Sequence, residues 1–598
     1  ERVLLANLRQ MQRYQQGFFV DIATGSSPGA GPTRSGGVFG SGLEGFTGVG
    51  TGFGGLNTGG GTGATTGAAG AATGAGQAGG FLGLLQNTQQ ISNQRANIAA
   101  LQASLDQLEA AYQANRIDVL QVEQARQSLL DGQSQLLSLQ VAFRDSLDNY
   151  KLDLGIPPDI DLDIDTAYLS PLQLLHPTLT QLQDDFEVFL EILRTSPPET
   201  PDAVRQLFGE VDKRRQRLVE HMQIVQEDFE KMRAAIPDRK ESLTNLMTTD
   251  QFRSANLNPQ LFDPRTFEEK VARVEREGAE IQTRLAAELA QLETLTEQGA
   301  ESGDPALIKS LIEAIDVLRS DVLQLSLIEG QARLQAINLA PIELNSQTAY
   351  EVARVNRQDW MNARASLINS WRLIEFNANA LKSDLTVTVS GDVGTGDDGI
   401  LSFRGNDSAL RFGLRYDAPI TRVSERNIYR QSLIDYQRAR RSYMLFTDGV
   451  SLSLRTILRR LERDRINFEV RRRAIEIAIT QVDLTQLRLN QPPSPAAEAG
   501  AQQLGATTAR DLVSALSALL TVQNDLLSVY IDYQVQRMLL DRDLGTMMLD
   551  QRGVWIDPGR FMYGVPNDEE LNEEPPPIEE LPIIDSMEEL PERPDTLP

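Results

Sequence analysis

Apolar residues recur along this chain at two different periods, and the change of period is its main landmark. Residues 1–19 place Val3, Leu4, Leu8, Met11 and Tyr14 near helical spacing, and the same pattern runs from about 86 to 154, broken once at 113–118. Gly155-Ile156-Pro157-Pro158 ends that stretch, because Gly supplies a left-handed cap and Pro cannot continue a helix. Charged helices are expected between about 159 and 346, with breaks at Ser196-Pro197-Pro198, Ile236-Pro237, Asn258-Pro259 and Gly303-Asp304-Pro305. Helical spacing returns over 347–382 (Ala349, Val352, Val355, Trp360, Ala363, Leu367, Trp371, Ile374), over about 424–491 and over about 508–548.

Between the helices at 382 and 424 the period falls to two. From Asp384 to Ser390, Leu385, Val387 and Val389 alternate with Thr386, Thr388 and Ser390; from Ala409 to Tyr416, Leu410, Phe412, Leu414 and Tyr416 alternate with Arg411, Gly413 and Arg415. A strand pair over 384–390 and 409–417 follows, with one apolar face and one polar face carrying arginine; Pro419 ends the second strand. Alternation alone leaves two homes for such a pair, a soluble core or a membrane barrel. The flanking helices favour the barrel: from Pro419 to Gln491 a helix would extend on the order of 100 Å. The helices at 119–154, 347–382 and 509–544 have about half that length. Long and half-length helices in this order describe a tube with a belt at mid-height, and one strand pair is too small to close a barrel, so subunits would pool strands.

Two of the half-length helices, 119–154 and 509–544, are also copies of one another. Setting Leu154-Gly155 on Leu544-Gly545 aligns Ala125, Leu129, Leu130, Gln133, Leu136, Leu137 and Ser138 with Ala515, Leu519, Leu520, Gln523, Leu526, Leu527 and Ser528, without a gap. This divides the chain into a first helical repeat (1–155), an accessory equatorial helical region (156–346), a second repeat with the strand pair (347–550) and an acidic, Pro-rich tail (551–598). Residues 24–80, rich in Gly, Ala, Thr and Ser, read as a disordered insert, and so does the tail.

Composition then removes function classes. A net charge of -26 makes nucleic acid a poor partner. The chain has no Cys and only His176 and His221, neither with a partner at ligand spacing, so zinc sites, thiol chemistry and His acid–base catalysis are excluded. With no nucleophile–base pair or phosphate-binding loop, no enzyme, metal or cofactor is expected. No run approaches eighteen apolar residues, so a membrane role must use strands.

Over 1–24, 81–155 and 347–550 the chain resembles the TolC-like outer-membrane efflux family. The marks are the duplicated Leu-Gly endings, the Pro419 junction, Asp543-Leu544-Gly545-Thr546, and Leu504-Gly505-Ala506 followed by Asp511-Leu512. Ala114 to Asp118 matches the corresponding turn of the first half without its Gly. The resemblance implies a mainly α fold: long antiparallel hairpins forming a trimeric α-barrel, with strand pairs contributing to a shared transmembrane β-barrel. It implies a passive exit duct for efflux or type I secretion, set in outer-membrane lipid with its tunnel in the periplasm. A periplasmic adaptor and an inner-membrane pump would dock at the tips Asn115, Arg116, Ile117 and Leu504, Gly505, Ala506. Asp511 and Asp118 stand where the family narrows the pore. Leu385, Val387, Val389, Leu410, Phe412, Leu414 and Tyr416 would face lipid, and Thr386, Thr388, Arg411 and Arg415 the lumen. Gln502 and Thr507 occupy the positions of the family's latch residues, and the Pro-rich stretch 491–503 departs from its second tip. Too few residues precede the first tip for an equal first stave, which places a first strand pair upstream of Glu1. The alternative is a periplasmic coiled-coil adaptor or scaffold, which predicts no strands between two long helices.

Overall fold

The computed structural model describes residues 2–25, 79–113, 117–174, 200–254, 257–302, 307–382, 384–395, 403–417, 422–490 and 508–559, with isolated residues between 179 and 193. In chain order come α1 (Arg2–Thr24), α2 (Gly80–Gln113), α3 (Val119–Asp153), α4 (Pro201–Thr248), α5 (Pro264–Ser302), α6 (Leu307–Ala336), α7 (Ser346–Asn356) and α8 (Gln358–Asn379). The strands β1 (Asp384–Thr395) and β2 (Phe403–Asp417) follow, then α9 (Val423–Asn490) and α10 (Thr508–Leu544).

Helices α2/α3 and α9/α10 are the two expected hairpins, and four side-chain contacts set their levels. Gln94 of α2 donates to the Gly132 carbonyl of α3 (2.8 Å), and Asn93 donates to Asn524 of α10 (2.9 Å). Arg471 of α9 pairs with Asp525 (2.8 Å), and Ser453 donates to Asp543 (2.6 Å). Near the tips Leu101, Leu105 and Leu108 of α2, Val122, Ala125 and Leu129 of α3, and Leu512, Ala515 and Leu516 of α10 share one apolar core. The repeated Leu-Gly endings have a common backbone cause. Gly155 and Gly545 take φ of 72° and 78°, and the next residue's N–H returns to the helix, Ile156 to Lys151 (2.8 Å) and Thr546 to Asp541 (3.2 Å). A side chain at either glycine would be strained in this left-handed turn.

Phe18 to Ala23 and Phe81 to Leu85 are helical. The Gly79 N–H donates to the Thr24 carbonyl at 3.2 Å, so α2 begins where α1 stops. Together they supply 23 and 34 helical residues against the unbroken 68 of α9. The region from 26 to 78 lies outside the described residues.

The accessory region is a bundle of α4, α5 and α6 around Phe208, Val211, Leu218, Val225, Leu285, Leu311, Ile315 and Leu325. One expectation changes here. Pro237 does not break the chain but lies within the 48-residue α4. The missing amide and the ring clash cost about 3 kcal/mol, and burial of Met232, Leu243 and Leu246 on either side offsets it. His221 is buried with its Nε2 2.8 Å from Glu329. The bundle docks on α9 through a buried polar seam: Arg239 with Glu469 (3.1 Å), Lys270 with Glu476 (2.8 Å), and Arg472 donating to the carbonyls of Leu334 (2.8 Å) and Ile337 (2.7 Å). Burial lowers the Arg239 guanidinium to about 9, and Arg472 beside it acts in the same direction.

Three further expectations are corrected. The helix expected over 347–382 is broken at Arg357, whose extended backbone (φ -71°, ψ 115°) separates α7 from α8. By length and composition α10 is apolar enough to cross a bilayer. It instead lies among other helices, with Leu526, Leu527, Val529, Ile531, Leu540 and Leu544 buried. Finally, the tail does not leave the fold at 551: Leu549 bridges Trp555, the Trp555 indole donates to Asp541 (2.8 Å), and Arg537 holds Asp557. Residues 560–598 lie outside the described residues.

Candidate membrane strand pair and tunnel staves

The strand pair has the expected faces in antiparallel register. Leu385 pairs with Tyr416, Val387 with Leu414 and Val389 with Phe412, so apolar side chains meet across the ladder. Thr386 pairs with Arg415, Thr388 with Gly413 and Ser390 with Arg411 on the other face. Opposite residues share a face in such a ladder, which is why the alternation in each strand was enough to assign it. Both strands run beyond the expected 384–390 and 409–417, to 12 and 15 residues. That exceeds the 9–11 residues with which a tilted strand crosses a bilayer. All seven apolar side chains are exposed, Phe412 at 74%. Among the described residues the sheet has two strands only, so both outer edges are open.

Arg422 ties the two ends of the pair together. Its guanidinium donates to the carbonyls of Ala380 (2.6 Å) and Lys382 (2.5 Å) just past the end of α8, and lies 3.4 Å from the Asp384 carboxylate at the start of β1. The carbonyls that end α8 have no partners within the helix, so one side chain caps it and fixes where α9 begins. No local pattern signals this contact, because donor and acceptors lie about forty residues apart.

At the opposite end of the hairpins stand the candidate gate residues. Asp118 is the N-cap residue of α3, with no side-chain cap hydrogen bond. Asp511 sits in the first turn of α10. Both are exposed. The repeat register sets Asp118 beside Thr508, so Asp511 stands about one turn higher than its proposed counterpart. Of the tip residues, Ile117 is half-buried against the shared core. Asn115, Arg116, Leu504, Gly505 and Ala506 lie outside the described residues.

At mid-height is a buried ionic hub that sequence reasoning missed. Arg357 holds Asp359 with two bonds (2.9 and 2.7 Å) and donates to the Asp543 carbonyl (3.3 Å). Arg13 reaches the Asp543 carboxylate (3.4 Å) and the Arg542 carbonyl. Burial pushes Asp359 up, but Arg13 and Arg357 reverse this and hold it at about 2. Burial likewise opposes ionisation of Asp543, and Arg542, Arg357 and Arg13 bring it well below the ordinary carboxylate range. Burial lowers Arg13 to about 10. The hub ties α1, the α7–α8 break and the end of α10 into one belt. Among the described residues no cluster of metal-ligating side chains occurs.

No family model and no curated protein matches the chain. Solved structures do, among them outer membrane channels. The chain is similar to the outer membrane channel CmeC of Campylobacter jejuni at 12% identity, covering 69% of this chain and 68% of that one, with a TM-score of 0.27. It is similar to the outer membrane protein VceC of Vibrio cholerae at 12% identity, covering 63% and 95%, with a TM-score of 0.26. It is similar to the MtrE outer membrane channel of Neisseria gonorrhoeae at 14% identity, covering 61% and 87%, with a TM-score of 0.20. Such TM-scores describe a loose overlay, so the functional reading rests on the strand pair and the staves.

Proposed function

We propose that this chain is one subunit of a passive outer-membrane export duct, a homotrimer that pools strand pairs into a lipid-embedded barrel and helical hairpins into a periplasmic tunnel. One observation carries the reading: a strand pair long enough to span a bilayer projects from two helices with its apolar face wholly uncovered. Water is a poor environment for that face, and lipid is a good one. The second support is the continuity of this pair with α9, whose length of roughly 100 Å suits a tunnel wall rather than a compact core. Leu385, Val387, Val389, Leu410, Phe412, Leu414 and Tyr416 face lipid in this reading, and Thr386, Thr388, Arg411 and Arg415 face the lumen. A soluble adaptor or scaffold would leave the projecting pair without a purpose.

The tips at Asn115, Arg116, Ile117 and Leu504, Gly505, Ala506 dock a periplasmic adaptor and an inner-membrane pump. Asp118 and Asp511 bring carboxylates from several subunits toward one axis, where mutual repulsion and cation binding gate the pore. The protein supplies a route and no chemistry. Detergent extraction of the intact protein from outer membranes, followed by mass measurement, tests the assembly; a soluble monomer rejects it. For the gate, Asp511→Ala weakens cation block of single-channel conductance, and unchanged block rejects that role.

A further inference from the structure

The polar face of the strand pair carries the opposite sign to the chain as a whole. The chain has a net charge of -26, yet the rungs Thr386↔Arg415, Thr388↔Gly413 and Ser390↔Arg411 hold two guanidinium groups and no carboxylate. Acids on this face stand only beyond those rungs. Asp384 and Asp417 share the end rung, where Asp384 is already engaged by Arg422 at 3.4 Å. Asp392 lies 4.0 Å from Arg411 with the two side chains 73% and 75% exposed, and so open and long a pair neutralises little. Arg415 is exposed and meets no carboxylate among the described residues. The two arginines are four residues apart on one strand, so their Cα atoms are separated by about 13 Å. Gly413 lies between them and adds no side chain to the intervening rung. Strand β2 therefore presents two fork-shaped donors with an open step between them.

We infer that Arg411 and Arg415 make the barrel an anion-preferring exit, and that the cargo released through it carries carboxylate or phosphate groups. The inference rests on the duct reading above, which turns this face to the lumen, and adds what the lumen selects. Guanidinium groups bind carboxylates and phosphates through paired N–H donors. Repeated in each copy, the two arginines form successive basic rings, with Arg415 nearer the helices and Arg411 farther along the strands. A passage lined by one sign of charge between low-dielectric walls concentrates the opposite ion about ten- to a thousandfold. Two spaced rings suit transit, because an anion can pass from one weak site to the next without being trapped at either. The exposed Asp118 and Asp511 lie at the far end of the hairpins, so in this reading the duct is acidic at its tips and basic at its mouth. The tips then govern opening, and the mouth governs which cargo gathers for release.

The test uses the full chain, purified in detergent and inserted into a planar bilayer of phosphatidylcholine, which has no net charge. In a KCl gradient, Arg411→Gln with Arg415→Gln should shift the reversal potential toward cation preference. Arg411→Lys with Arg415→Lys keeps the charge and should stay near the wild type. Tripolyphosphate added on the side away from the helical tunnel should block wild-type current, and the Gln pair should raise the half-blocking concentration at least about tenfold. Should the Gln pair fail to insert, the wild type decides: its block must weaken as KCl is raised, and a neutral sugar of similar size must not reproduce it. A reversal potential or a block that is unchanged in the Gln pair, or a wild-type block indifferent to salt, overturns the anion preference and leaves the duct reading standing. A wild type that forms no channels removes the duct reading itself.

Discussion

Helices α3 and α10 are written in nearly the same words and live in opposite surroundings. Leu137 is 64% exposed, while its counterpart Leu527 is 2% exposed; Val141 is 57% exposed, and its counterpart Ile531 is 1%. The difference is one of neighbours. Helix α10 has α9 on one side and α2 on the other, whereas α3 has α2 and then the end of the chain's own wall. No described residue covers these leucines of α3, and in the function proposed above they face a neighbouring copy. Sequence duplication alone could not say which copy is the edge; burial does.

The largest effect should come from placing a charge at the two equivalent leucines. Leu527→Asp puts an unpaired carboxylate in the core and should cost about 4 kcal/mol or more, so little folded protein is recovered. Leu137→Asp should change the melting of the lone chain by less than about 0.5 kcal/mol while removing the assembled form on size-exclusion chromatography. Equal damage at both sites would end the distinction.

The strand pair offers the same contrast between its two faces. Val387→Arg or Leu414→Arg on the apolar face should cost about 2–4 kcal/mol at the bilayer midplane, seen as loss of membrane-inserted protein. Thr388→Arg on the polar face should insert normally. If both faces tolerate arginine, the apolar face does not meet lipid.

A third pair sharpens the comparison electrostatically. Asp543 is buried in the mid-height hub, and its counterpart Asp153 is exposed. Because the folded Asp543 carboxyl lies below its ordinary value of 3.8, its stabilisation is complete above about pH 5 and is lost as pH falls through 4 and below. Urea midpoints should therefore drop on acidification by an amount on the order of 2 kcal/mol. Asp543→Asn flattens that drop; an unaltered profile in Asp543→Asn rejects the assignment.

The smallest effect concerns the first long stave, which is cut where α9 is continuous. Joining Gly25 directly to Gly79 should leave the melting temperature within a few degrees, since the segment's ends already meet and loop-closure entropy changes only slowly with length. A collapse in stability would show that residues 26–78 do more than connect.

Local period carried most of the fold. Helices, hairpin turns and strand faces were legible because a residue's neighbours at two, three or four positions decide them, and the Leu-Gly endings because only glycine suits that backbone turn. What could not be read depends on partners far along the chain. The Arg357 break is stabilised by Asp543, the bundle docks through Arg239 and Glu469, and Pro237 survives in α4 because the surrounding core holds its helix. None of these leaves a period. For the site, the apolar and polar faces of the strands were legible from their alternation, whereas the Arg422 cap and the mid-height hub depend on partners far along the chain.

The uncovered strand pair has a consequence in time. A freshly folded subunit carries two unpaired strand edges and a greasy face, and any extended chain it meets can add to them. Its most hazardous period is the interval between the setting of the helices and the meeting of partners. Raising the concentration shortens that interval only if the encounters are with the right edges, so in the function proposed above fast and orderly assembly matters to this chain as much as its final stability.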